Sequence, residues 1–213
     1  ATVDPKTLDA VERTPGLVRS RGVEFGLRTE AIPKMQMSLA VYRLDFDSEL
    51  TYIGDAGNTE AGDPSRRYGI EFSNYYRPYK WLSIDFDAAW ARARSLGNRI
   101  PGAIEGVAQL GVTVDRSGPW SGSLRLRWFG PRPLIEDDSV RSKASVTLNG
   151  RVGYQLAKDL QLELEAFNLT NRRASAIDYF YESQLAGETA PVADVHFHPI
   201  EPRSLRLTLV KTW

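Results

Sequence analysis

The stretch SKASVTLNGRVGYQLAKDLQLELEAFNLT, residues 142–170, decides how the chain folds. Val146, Leu148, Val152 and Tyr154 share one parity, against Ser145, Thr147, Asn149 and Arg151 on the other. Leu160, Leu162, Leu164 and Ala166 then alternate with Gln161, Glu163 and Glu165. Successive side chains of an extended chain point to opposite faces, so this period of two predicts two strands, each apolar on one face. Only Ala157, Lys158 and Asp159 separate them, which predicts a tight hairpin. Each strand runs for about ten residues or more, where soluble strands average about five or six. Strands this long fit a large twisted sheet or a barrel wall, which crosses a membrane with about 9–11 tilted residues.

Composition leaves both open. The chain has 213 residues, enough for one domain, with 42% hydrophobic and 25% charged residues. Lys plus Arg equals Asp plus Glu at 27 each, so net charge gives no reason to expect nucleic acid. The absence of cysteine excludes disulfides and thiolate chemistry. No apolar run reaches the 18 residues of a membrane helix, so a membrane reading is a β-barrel reading. No signal peptide is present, and an exported chain would have it supplied upstream or already removed.

Outward from the hairpin, the same alternation recurs. Residues 1–20 have no period and read as a loop or a linker left by truncation. Val23, Phe25 and Leu27 begin the pattern, with a turn at 31–34. The next strand, Met35 to Ile53, is apolar at Met37, Leu39 and Val41 but then at Tyr42, Leu44 and Phe46. This change of parity predicts a β-bulge at 41–43. Tyr68, Ile70, Phe72 and Tyr76 form one arm of a hairpin, and Leu82, Ile84, Phe86, Ala88 and Trp90 the other. Ala108 to Val114 pairs with Trp120 to Trp128, and the last strand is Arg203 to Trp213. The turns at 31–34, 78–80, 116–119 and 157–159 are short, whereas 54–66, 95–102, 130–143 and 171–200 are long. Short turns on one side and long loops on the other characterise outer-membrane barrels, as do aromatic residues near strand ends, here Tyr68, Tyr76, Tyr79, Trp81, Trp90, Trp120 and Trp128. A soluble sheet exposing its polar parity to water is the alternative. The count is nine strands, but bacterial barrels close with even numbers. Either a further strand lies in 1–20 or 177–198, or the chain is part of a larger barrel.

The segments RSRGVEFGLRT (19–29), YRLDFDSEL (42–50), SRRYGIEFSNYYRPYKWLSIDFDAAW (65–90), IPG (100–102), LRLRWFGPRPL (124–134) and LELEAFNLTNRRAS (162–175), with a terminal aromatic strand, resemble the C-terminal portion of a TonB-dependent outer-membrane receptor. The combination of RxxGxE, YYRPxxWL and FNLTNR is the specific part, and the likeness runs from Arg19 onward. The resemblance implies an all-β antiparallel transmembrane wall over 21–213, a portion of a 22-stranded barrel. It further implies a Gram-negative outer-membrane location, lipid around the barrel, barrel-assembly machinery, and in the complete protein a plug domain and the energy-transducing TonB complex. The implied function is energised uptake of a scarce solute such as a siderophore or cobalamin, with a passive porin-like or structural barrel as the alternative. Trp213 would be the assembly signal, although Lys211 stands where the family usually has an aromatic or apolar residue.

No enzymatic reading survives. Asp45 with Asp47, Asp85 with Asp87 and Glu163 with Glu165 could suggest a carboxylate pair. Their i, i+2 spacing is simply the polar parity. Phosphate loops and nucleophile elbows are absent. His196 and His198, in VHFHP, are the two histidines, and without cysteine or clustered partners no metal site or cofactor is expected. Binding residues usually sit on loops carried by a rigid scaffold. Recognition of a small molecule or metal chelate is therefore expected from Arg132, Glu136, Asp137 and Asp138 in one loop and Asp178, Tyr179, Tyr181, His196 and His198 in the longest.

Overall fold

Nine long strands pair antiparallel in chain order in a computed structural model that describes residues 2–3, 10–12, 17–53 and 58–213. They are β1 (Ser20–Thr29), β2 (Met35–Phe46), β3 (Ser65–Tyr79), β4 (Leu82–Ser95), β5 (Gly106–Ser117), β6 (Trp120–Phe129), β7 (Ser145–Ala157), β8 (Leu160–Phe167) and β9 (Ser204–Lys211). A two-residue strand, Asn98–Arg99, adds to the end of β4. The sheet is open: β1 and β9 are its two edges and do not meet.

Cross-strand pairs place their side chains on the same face, so the register sorts the chain into two surfaces. One horizontal row reads Leu27, Leu39, Phe72, Ala88, Ala108, Trp128, Val146. The row nearer the short turns contains Phe86, Leu110, Leu126 and Leu148. Farther along the sheet, Gly122, Val152, Leu164 and Leu207 align. The opposite surface carries Glu71, Asp85, Arg125, Arg127, Arg151 and Glu163. Its contacts are polar: the Ser38 and Ser73 hydroxyls meet at 2.7 Å, and Gln109 Nε2 donates to Asp87 at 2.7 Å. Apart from β2 beyond Val41, both faces fall where the alternation predicts.

The apolar face has no core behind it. Among the described residues the one large hydrophobic side chain buried from solvent is Leu134, which lies in a loop, while Phe25 and Leu205 are 73% and 68% exposed. Such a surface needs a partner other than water. Aromatic pairs fringe it at both ends. Tyr79 stacks on Trp81 and Trp120 packs on Tyr154 beside the short turns, and Tyr68 meets Trp90 edge-on toward the long loops. These rings fit the two interfacial girdles of a membrane barrel.

The structure corrects two details of the sequence reading. The pairing of β2 with both neighbours runs in unbroken register through 41–43, so there is no bulge. Parity changes because the strand outgrows the apolar band: beyond Val41 the apolar face turns to Arg43 and Asp45, and Tyr42 and Leu44 belong to the polar face. Tyr42 lies across Gly69, where an added Cβ would stand 2.7 Å from the tyrosine oxygen. The strand also ends at Phe46, before the separate hairpin Glu49–Ile53 with Asn58–Gly62. Most of residues 1–20 lie outside the described residues. Residues 177–198 are indeed β, but they form a hairpin, Ser175–Ser183 with Val192–Pro199, that stands apart from the wall.

Candidate functional site

All four long connections leave the same end of the sheet, opposite the short turns, and three of them are bound together by ion pairs of low exposure. Arg132 pairs with Asp178 at 3.2 Å, their side chains only 11% and 7% exposed. This joins the 130–144 loop to the far hairpin. Arg99 reaches Glu105 at 2.9 Å and Asp138 at 3.1 Å, and Arg141 binds both of the same carboxylates. Backbone bonds from Arg99 N to Glu136 O and Gly102 N to Pro133 O close the platform over buried Pro133 and Leu134. Two arginines and two acids balance, and breaking such a low-exposure pair is costly because it strands the other charge.

The predicted binding residues therefore divide. Arg132, Asp138 and Asp178 hold the loops in place. Glu136 and Asp137 are exposed, and the Ser139 amide and hydroxyl hold the Asp137 carboxyl below the usual carboxylate range. Tyr179, Tyr181, His196 and His198 share one face of the hairpin, because Tyr179 pairs with His196 and Ile177 with His198 in register. The His196 ring stacks on Tyr181 with centroids 4.0 Å apart, and its Nε2 lies 3.2 Å from the Ser183 hydroxyl. His198 meets Tyr179 edge-on. The two histidines are thus engaged with aromatic rings, and no group of three metal-ligating side chains occurs among the described residues. Asp178 occupies the opposite face, turned to Arg132.

Three features escaped the sequence. Arg141 meets Glu105 across 36 residues of sequence, beside the local Arg99–Glu105 pair. The FNLTNR segment acts as a latch: Asn168, at φ 48°, is buried and its amide donates to Arg172 O and Glu201 O, while Asn171, at φ 49°, accepts from Arg203 N. Asparagine tolerates this left-handed conformation better than most residues. A hollow of about 680 Å³ also lies on the polar face, lined by Arg28, Glu30, Gln36, Asp85, Asp87 and Arg125 among others. Asp85 crosses Gly111 to reach Arg125 at 3.4 Å, and a Cβ at 111 would fall 2.3 Å from the carboxylate. Glycine at this register position is what lets an acid on β4 meet a base on β6.

Residues 10–169 match the family described as TonB dependent receptor-like, beta-barrel. The chain belongs to this family. TonB-dependent receptors are outer-membrane proteins of Gram-negative bacteria and act as transport receptors, not as enzymes. Among solved structures, the ferric-catecholate import receptor Fiu from E. coli K12, closed form, is 18% identical with a TM-score of 0.67, covering 91% of this chain and 27% of its own. The ferric yersiniabactin uptake receptor FyuA from Yersinia pestis is 18% identical with a TM-score of 0.70, covering 96% and 33%. The copper transporter OprC is 17% identical with a TM-score of 0.68, covering 92% and 32%. At these identities the likeness is one of fold, and the chain spans a third or less of the length of each. No curated protein matches the sequence. In outer-membrane barrels the lipid-facing surface carries an apolar band and the interior is polar.

Proposed function

We propose that this chain is the C-terminal part of the barrel wall of an outer-membrane receptor for energised uptake of a scarce solute, a siderophore, another metal chelate or a cobalamin-like molecule. The observation that carries this reading is the ionic platform at the loop end. Arg132 with Asp178, and Arg99 and Arg141 with Glu105 and Asp138, rigidify loops that would otherwise be mobile. Rigid loops lose less conformational entropy on binding a ligand. On this platform the Tyr179, Tyr181, His196 and His198 face offers aromatic surface and imidazole nitrogens, and Glu136 and Asp137 offer exposed carboxylates. In the complete protein, β1 and β9 pair with further strands to close the barrel, because unpaired edges are not tolerated in hydrocarbon. A plug domain occupies the polar lumen and couples to the TonB complex, barrel-assembly machinery inserts the wall, and Trp213 serves as the assembly signal. Beside it, Lys211 stands on the apolar face at the turn end and reaches Asp159, which suits a long cationic stem leaving the hydrocarbon.

The test is deletion of the complete gene, followed by growth with iron, then cobalamin, then scarce sugars limiting. Loss of growth on one of them, restored by the gene only when the energising complex is intact, is the expected result. A complete protein that lacks a plug and passes small ions freely in planar bilayers would overturn the reading.

A further inference from the structure

The hairpin of Ser175–Ser183 with Val192–Pro199 is covered unevenly. On its first strand Asp178 is only 7% exposed, held by Arg132 of the 130–144 loop, and Phe180 is half-buried. Register places Phe197 opposite Asp178 and Val195 opposite Phe180, so all four side chains share one face. Yet Phe197 is 59% exposed and Val195 36%. The 130–144 loop therefore shields this face over the first strand and leaves its apolar half on the second strand bare. Seven of the eight residues of Val192–Pro199 are exposed, the exception being His196 in its stack on Tyr181.

The same exposure marks the two edges of the wall. In β9 seven of eight residues are exposed and in β1 nine of ten, and each of these edges needs a further strand if the barrel is to close. The outer backbone edge of Val192–Pro199 is open as well, since among the described residues this strand pairs with the first hairpin strand alone. It leads through residues 200–203 straight into β9, so the bare strand of the hairpin is the one continuous with the open edge. β9 itself runs from the loop end at Ser204 to the turn end, where Lys211 meets Asp159. Every pair in the wall is antiparallel, so a further neighbour of β9 runs the opposite way and reaches the loop end beside residues 200–203. The external connection that follows such a neighbour starts there. The solved receptors of this fold are long enough to supply it, because the chain spans a third or less of each.

We infer that in the complete receptor the external connection following the strand that pairs with β9 lies along Val192–Pro199, adding an extended segment to its open edge and covering Val195 and Phe197 with apolar side chains. The inference rests on the proposed reading of this chain as part of a larger barrel wall. An open strand edge presents unpaired N–H and C=O groups to which a second segment can bond, and alternate side chains of that segment then meet the exposed face. Covering Phe197 and Val195 removes apolar surface from water at the same time. The hairpin is thereby clamped from both sides, by Arg132 on its first strand and by the connection on its second. His196 and His198 ride on the clamped strand with their rings on the opposite face, so the cover sets where that face stands without touching it.

Amide hydrogen exchange of the complete receptor in nanodiscs, read by mass spectrometry, compares the parent with the double variant Val195→Ser, Phe197→Ser and with Leu185→Ser, which alters a 64% exposed apolar residue at the hairpin tip. In the parent, the amides of 192–199 that do not bond to the first hairpin strand should exchange slowly. In the double variant, exchange should rise at least about tenfold both in 192–199 and in the external connection that follows the neighbour of β9, with β2 to β7 unchanged. Leu185→Ser should move neither. Fast exchange at those edge amides in the parent, or a rise confined to the hairpin, overturns the inference. Protection that is lost on dilution overturns it too, and assigns the face to a second copy of the receptor. Heat-modifiable electrophoretic mobility checks that each barrel is folded, and should the double variant not fold, Phe197→Ser alone is read in the same way. A receptor that shows the linked exchange but imports nothing overturns the importer reading alone, whereas one that imports its solute with an open hairpin edge overturns this inference alone.

Discussion

One arginine placed at two adjacent positions of β5 separates the two faces of the wall. Leu110 stands midway along the apolar part of its strand, level with Phe86 and Leu126. In the complete barrel its side chain meets lipid, so Leu110→Arg puts a charge near the bilayer midplane at a cost of about 2–4 kcal/mol. At about 1.4 kcal/mol per factor of ten, the folding equilibrium shifts by about 30- to 700-fold. Gln109, one residue earlier, faces the lumen and donates to Asp87 at 2.7 Å. Gln109→Arg meets that carboxylate across a polar surface and is expected within about 1 kcal/mol of the parent. Denaturant titration of the complete barrel in liposomes, followed by tryptophan fluorescence, measures both. If Gln109→Arg proved the more damaging of the two, the lumen and lipid assignments would be reversed and the reasoning refuted.

Other expectations follow from single contacts. Asp178→Asn strands Arg132 in a site where it is 11% exposed, so amide exchange should accelerate in 130–144 and 172–200 while β2 to β7 stay protected; equal exchange throughout would deny the pair its role. Gly111→Ala should displace the Asp85 carboxylate, so that an Asp85–Arg125 coupling of about 0.5–1 kcal/mol in a double-mutant cycle disappears in the alanine background. His196→Ala removes the ring stacked on Tyr181 and should weaken solute binding without lowering the amount of assembled receptor, as read by uptake beside heat-modifiable mobility. Deleting Trp213 should do the opposite, reducing assembled receptor in cells; unchanged levels would remove its proposed role.

Most of the wall was legible because its physics is local. Val146, Leu148, Leu162 and Leu164 declare their face by parity alone, and the turns at 78–80 and 157–159 interrupt that parity where the strands reverse. The misread bulge at 41–43 shows the limit of this signal. Alternation reports which residues are apolar, but β2 passes out of the apolar band within its own length, and only the unbroken pairing with β1 and β3 reveals that Tyr42 and Leu44 turned inward while Arg43 and Asp45 stayed outward. The loop site was legible by residue type and not by arrangement. Arg132 and Asp178 looked alike as recognition residues, yet they are each other's partners across a sequence separation of 46 residues. The His196 and Tyr181 stack follows from a hairpin register that the polar composition of 171–200 does not specify.

The central claim, that this sheet is a membrane wall with its apolar parity in lipid, is tested most directly by spin labels. This chain contains no cysteine, so with any cysteine elsewhere in the complete receptor replaced by serine, single cysteines at positions 83 to 90 can each carry one label after reconstitution. Collision with oxygen, which concentrates in hydrocarbon, should be high at even positions, including 84, 86 and 88, and low at 85 and 87. Collision with a water-soluble nickel chelate should show the reverse. A flat profile, or a label at 85 that meets oxygen more often than one at 84, would contradict the account.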